Sequence, residues 1–215
     1  MKENYLKTGR QMRNMLQAAK EKLAGYSPQD ICRKADVNYD EAEQMFYIRS
    51  FDGDLKIRYP EYDPVSEITD AREMWYYLTM LQYLDTADGS PLLGKWITLS
   101  EMPGGAARSV GFQKETDHAF ARVAHKAHIE EFRNACKKIG GVPAEGKGDV
   151  SCIVYFAPRF PVMLNFWEAD DEFPASVRMY VDAQAEHYLT LEAAGTACGC
   201  VINKITDSIG EVSGR

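Results

Sequence analysis

Apolar positions along the chain alternate between two spacings, and each change of spacing marks an element. Met12, Met15, Leu16, Ala19 and Leu23 recur at helical intervals, with Gly25 behind them as a stop. Ser27-Pro28-Gln29-Asp30 then reads as a helix start, with a serine N-cap, proline at the first helical position and an acid at the third, so a short helix runs to about Ala35. From Gln44 the pattern becomes extended: Met45 to Phe51, then Asp52-Gly53, then Leu55 to Tyr59 in clear alternation. Asp-Gly between two such runs predicts a β-hairpin, because a tight turn needs positive φ at its central positions.

Asp70-x-x-Glu73 starts the next helix, whose apolar face is Met74, Tyr77, Leu78, Leu81 and Leu84. Trp75, Tyr76, Met80 and Tyr83 leave it little purely polar surface, which predicts a central position. It ends near Asp88-Gly89, and a loop-rich stretch follows to Ser109 with an extended piece from Trp96 to Leu99. Residues 116–139 read as one long helix or two abutting ones, stopped by Gly140-Gly141. Val150 to Phe156 and Val162 to Trp167 are strands around a turn at Pro158 to Pro161, and Val177, Met179 and Val181 alternate as a third. Asp182 is a candidate N-cap for a helix over Ala183 to Leu191, and a last helix covers Glu192 to Ile209. Strands in two blocks between runs of helices predict an α+β fold, with mostly antiparallel sheets (hairpin 45–59 and meander 150–181) packed with several helices. Residues 1–40 read as an N-terminal helical extension and 41–215 as a single α+β domain.

Composition narrows the functional classes. The 215 residues are 45% apolar and 27% charged, an ordinary globular balance. No apolar run approaches the ~20 residues of a membrane span, and the polar start lacks a signal-peptide core, so a cytoplasmic protein is expected. Twenty-five basic against 32 acidic residues give a net charge of −7, which disfavours nucleic acid and anionic lipid as partners. The five cysteines lack the spacing of a disulfide framework or zinc ribbon, and reduced thiols are the default.

Several constellations could carry chemistry. Gly89 to Lys95 imitates a phosphate-binding G-x-x-x-x-G-K loop, but Trp96 follows where Ser or Thr is required and a helix precedes where a strand should. His118, His125 and His128 share a face if their helix is continuous; only His125 and His128, ~4.5 Å apart along the axis, could share one metal ion, and structural histidines are the alternative. Glu168, Asp170, Asp171 and Glu172 crowd four carboxylates after a strand, between Trp167 and Phe173-Pro174. Such crowding raises pKa values or recruits a hard cation, unless the segment is a solvated turn. Arg159, between two prolines in the opposite turn, is an anion-binding or capping candidate ~20 Å away. The small-residue run Ala193 to Cys200 implies that another helix, or a flat cofactor, approaches the last helix closely. Hydrolase elbows, zinc-protease motifs and four-cysteine arrays are absent from the sequence.

Tyr83-Leu84-x-x-Ala87-Asp88-Gly89-x-Pro91-x-x-Gly94-Lys95-Trp96-Ile97 and the following Pro103-Gly104-Gly105 resemble an uncharacterised bacterial and archaeal family, domain of unknown function 3786. So do Pro158-Arg159-x-Pro161, Trp167-x-x-Asp170-x-Glu172-Phe173-Pro174-Ala175, and Val181-Asp182 leading to Tyr188-Leu189 and Glu192. The resemblance spans about residues 45–205 and implies a family typical of anaerobes without an assigned activity. Some relatives join an iron–sulfur segment like that of corrinoid iron–sulfur proteins, which implies a link to one-carbon or corrinoid metabolism; this chain has no such segment.

The leading expectation is a binding protein for a small molecule or an unidentified cofactor. Its pocket would be walled by the second sheet and the Trp96 to Gly105 loop, with Gly104 and Gly105 in the loop that supplies backbone donors and Trp167, Asp170 and Glu172 in the segment that gives a polar or charged contact; Arg159 is a ligand-binding candidate outside that site. The alternatives are an enzyme using Asp170 and Glu172 for metal-assisted or acid/base chemistry, and a protein–protein accessory module.

Overall fold

The computed structural model describes residues 2–107 and 127–213. Helix α1 (Lys2–Leu23) is followed by α2 (Pro28–Ala35), whose start is as read: the Ser27 hydroxyl accepts from the Asp30 amide, with Pro28 in the first turn. Helix α3 (Ala71–Thr86) begins at Asp70, whose carboxylate accepts from the Glu73 amide at 2.8 Å. It is central, as its all-round apolar sequence implies, and packs against both α1 and α2.

A small antiparallel sheet holds β1 (Asn38–Asp40), β2 (Met45–Ser50) and β3 (Gly53–Arg58) in that order. The hairpin is where the alternation puts it, but its turn is one residue early. Ser50 pairs with Gly53, so the loop is Phe51-Asp52, and Phe51 takes the positive φ of 54° that Asp-Gly was expected to carry. Burial explains the shift. Phe51 is buried with its ring near Tyr76 and Phe156, and its amide donates to the Tyr155 carbonyl at 2.9 Å.

The larger sheet runs β4 (Trp96–Ile97), β8 (Ser176–Asp182), β7 (Phe160–Trp167), β6 (Val150–Ala157), β5 (Val142–Pro143), all antiparallel. Central β7 is buried along nearly its whole length. Helix α4 (Ile129–Lys138) packs on β6 and β7, with Phe132 stacked on Phe166, and α5 (Leu191–Ser213) lies against α3, α4 and β6. The sheets meet where the Ser50 hydroxyl donates to the Phe156 carbonyl at 2.7 Å. The fold is therefore α+β with two antiparallel sheets. Among the described residues no helix is long and apolar enough to cross a membrane.

Two local expectations are corrected. The helix leading to Ile139 does not run through His128, which is the extended N-cap of α4 (φ −81°, ψ 163°); the His125–His128 spacing argument therefore lacks its helix, and His118 and His125 lie outside the described residues. Asp182 does not open a helix. It ends β8, and only a short 3-10 turn, Ala185–His187, precedes α5, the Asp182 carboxylate being shared between the Gln184 amide and the amides of Leu93 and Gly94. The small-residue run meets other helices, as expected: α5 lies against α3 and α4 with Ala193, Ala194, Ala197 and Cys198 buried, while Gly199 faces open space, a Cβ there meeting nothing within 4 Å.

Candidate functional site

A cleft of about 590 Å³ opens between the β2–β3 hairpin, the segment before α3, and the facing sides of α3 and α5. Its upper wall is the Phe51–Leu55 turn, held by an unusual contact with the end of α4. Gly140 has φ +79°, and a Cβ there would fall 2.6 Å from the Phe51 carbonyl oxygen. The floor carries the polar groups. Tyr76 projects from α3, and Cys200, Asn203, Lys204 and Ser208 recur along one side of α5. Burial pushes the Tyr76 phenol up to about 12, its hydrogen bond with Ser50 working in the opposite sense, so it is a neutral donor at physiological pH. Cys200 is likewise pushed up to about 12 by burial and stays a thiol. The Ser208 hydroxyl oxygen is buried without a hydrogen-bond partner among the described residues, although it belongs to a lining residue. The rim mixes charges: Arg72 pairs with Asp207 at 3.3 Å, and Lys204 lies over the Phe51 ring at 5.6 Å.

The residues singled out from the sequence lie elsewhere, at two ends of the larger sheet. Trp167 pairs with Ser176 and Trp96 with Asp182, six residues further along β8, which is ~20 Å of strand. Trp167, Asp170 and Glu172 therefore stand at one end, with Trp96 and Arg159 at the other, and none of them lines the cleft. Asp170 closes its own turn: its carboxylate accepts from the Phe173 amide at 2.6 Å and the Glu172 amide at 2.9 Å, and these bonds hold its pKa below the ordinary value. Asp170, Asp171 and Glu172 are exposed, and Phe173 is two-thirds exposed at 67%. Glu168 instead joins the start of α4, accepting from His128 Nδ1 at 3.0 Å and the Ile129 amide at 3.3 Å. Among the described residues no group of three or more His, Cys, Asp or Glu side chains could hold a metal ion. Gly104 has φ +77°, and a Cβ on Gly105 would fall 2.2 Å from the Leu99 carbonyl, so both glycines serve the short 3-10 turn Leu99–Glu101.

The Arg159 end is a dense polar junction. Buried Asp182 accepts from the amides of Leu93 (3.2 Å), Gly94 (2.7 Å) and Gln184 (2.9 Å). The apparent phosphate loop thus spends its amides on the protein's own carboxylate. His187 Nδ1 lies 2.6 Å from Asp88 and 3.2 Å from the Ser90 hydroxyl. A serine–histidine–aspartate relay needs those partners on opposite ring nitrogens, so this is a structural clasp. The Tyr188 hydroxyl donates to the Ser90 carbonyl, the Tyr83 hydroxyl to Ala35, and Arg159 pairs with Asp36 at 2.9 Å while its amide donates to the Tyr83 oxygen. Three stretches distant in sequence, Tyr83 to Ile97, Pro158-Arg159 and Val181 to Tyr188, converge here.

Those are among the stretches that carried the family resemblance, and the model of a domain of unknown function, DUF3786, matches residues 27–204. The chain belongs to the DUF3786 family. No curated protein and no solved structure matches it. The DUF3786 match covers α2 to most of α5, and within it lie the Arg159 junction and all of the cleft lining except Asp207 and Ser208. In this DUF3786 chain the motifs at the junction thus tie loops together near the C-terminal end of α3, while the cleft is lined by its N-terminal half. Sequence reading missed Tyr76, Asn203 and Ser208. One signal was available for the last: Val201, Ile205 and Ser208 are spaced i, i+4, i+7, so Ser208 occupies the inward stripe as its polar member.

Proposed function

We propose that the chain binds a small polar molecule in the cleft between the β2–β3 hairpin, α3 and α5. The observation that carries this reading is a concavity of about 590 Å³, within the size range of metabolite pockets, into which the polar side chains of α3 and α5 converge. Around it stand a neutral phenol at Tyr76, the Asn203 amide and the Lys204 ammonium, beside the apolar Phe51 and Ile68. This set suits a compact molecule with several hydrogen-bonding groups and one apolar face. The turn around Asp170 and Glu172 supports neither metal nor acid/base chemistry as well, because Asp170 is committed to its own turn.

The test is a thermal-shift panel of amino acids, short carboxylic acids, sugars and nucleosides on wild type and on Asn203→Trp, which fills the cleft. At least one class is expected to raise the melting temperature of wild type and leave Asn203→Trp unmoved. Equal shifts in both proteins, or no shift in wild type across the panel, would contradict the reading.

A further inference from the structure

Two cysteines that the sequence separates by 16 residues meet in the core. Cys136 on α4 and Cys152 on β6 are both buried, and their sulfurs lie 2.7 Å apart, closer than non-bonded sulfurs ordinarily come. The backbone imposes this approach from both sides. Gly141 donates its amide to the Cys136 carbonyl at 2.7 Å, turning the chain out of α4, and two residues later Pro143 pairs directly with Cys152 in the β5–β6 ladder. The turn tolerates no side chain: a Cβ on Gly141 would fall 2.7 Å from the Cys136 carbonyl oxygen. Helix, turn and ladder together hold the two side chains facing each other.

We propose that Cys136 and Cys152 are the site of a reversible intramolecular disulfide that staples α4 to β6. A low-molecular-weight disulfide such as oxidised glutathione is the oxidant class. One protein thiolate attacks a sulfur of the reagent, breaking its S–S bond and releasing one small thiolate. The second protein thiolate then attacks the protein sulfur of the mixed disulfide, forming the Cys136–Cys152 bond and releasing the other. The two protein thiols lose two protons and two electrons, and the reagent gains both to become two thiols. The hydrogen bond with Cys152, and then burial, disfavour the Cys136 thiolate, so exchange is slow in the closed fold and proceeds through opening of α4. This inference stands apart from the cleft reading, since neither cysteine lines the cleft.

The full chain is diluted from urea into buffer with oxidised glutathione or, in parallel, with reduced glutathione. It is then quenched with N-ethylmaleimide in denaturant and weighed. The reduced sample is expected to carry five adducts, one per cysteine. The oxidised sample is expected to carry three, with a peptide linking Cys136 to Cys152, and to melt about 5–10 °C higher, as closing a loop of this size implies. Five adducts after oxidation, a linkage between other cysteines, or a linked form that melts lower than the reduced one would each overturn the proposal.

Discussion

Asp182 shows what a single buried carboxylate does in this fold. It accepts three backbone amides from two segments, so it holds the Pro91–Gly94 loop against the end of β8 as a salt bridge would, without a cation. Asp182→Ala strands those amides, and a loss of about 3 kcal/mol is expected in urea unfolding; a loss under about 1 kcal/mol would mean that water replaces the carboxylate. Ser208 has the opposite sign. Removing its unpartnered hydroxyl in Ser208→Ala is expected to raise the ligand-free melting temperature by about 2–4 °C, and a fall would show that the hydroxyl has a partner in solution. Asp88 sets a pH dependence. Its hydrogen bond to His187 lowers its carboxyl to about 2, so its contribution is complete above the unfolded value of 3.8 and fades as pH falls toward 2. Because Asp88 is half exposed, the effect stays below about 1 kcal/mol. Wild type should lose more stability than Asp88→Asn between pH 6 and pH 3, and parallel losses would remove the clasp from the account.

At the scale of elements, the hairpin turn is the part on which the cleft depends. Phe51 spends a positive φ to bury its ring, and Gly140 leaves room for the Phe51 carbonyl. Gly140→Ala combines an unfavourable left-handed residue with a clash, and is expected to cost about 2–3 kcal/mol in urea unfolding while weakening any thermal shift given by cleft ligands; an unchanged midpoint would show that the turn moves freely. The same elements show what the sequence could reveal. Alternation announced β2, β3, β6, β7 and β8, and Ser27-Pro28 and Asp70-x-x-Glu73 announced two helices, because those signals are local. The turn at Phe51-Asp52 was not legible, since Asp-Gly chemistry favours one register and the burial of Phe51 against Tyr76 and Phe156 another, and tertiary packing won. Asp182 misled for a related reason: a good N-cap residue found better donors in a loop some ninety positions away.

Across the whole molecule, two concentrations of polar chemistry lie at different ends of α3. The Arg159 junction, where three distant stretches meet, satisfies its own hydrogen bonds, whereas the cleft beyond Tyr76 gathers Asn203 and Lys204 around open space. Trp96, Gly104, Gly105, Arg159, Trp167, Asp170 and Glu172 stood out in the sequence, and for three of them the geometry supplies a local role: Asp170 closes a turn, Gly105 clears a backbone and Arg159 joins distant loops. The cleft could not be read in advance, because its lining comes from the hairpin turn, the segment before α3, α3, the end of α4 and α5, whose local signals announce a turn and a helix cap but no binding chemistry. Its occupancy is the central claim. Native mass spectrometry of the full chain, isolated without heating, measures that most directly. Wild type is expected to retain a stoichiometric small-molecule mass that Asn203→Trp lacks; a bare wild-type protein, or the same mass on both, would contradict the account.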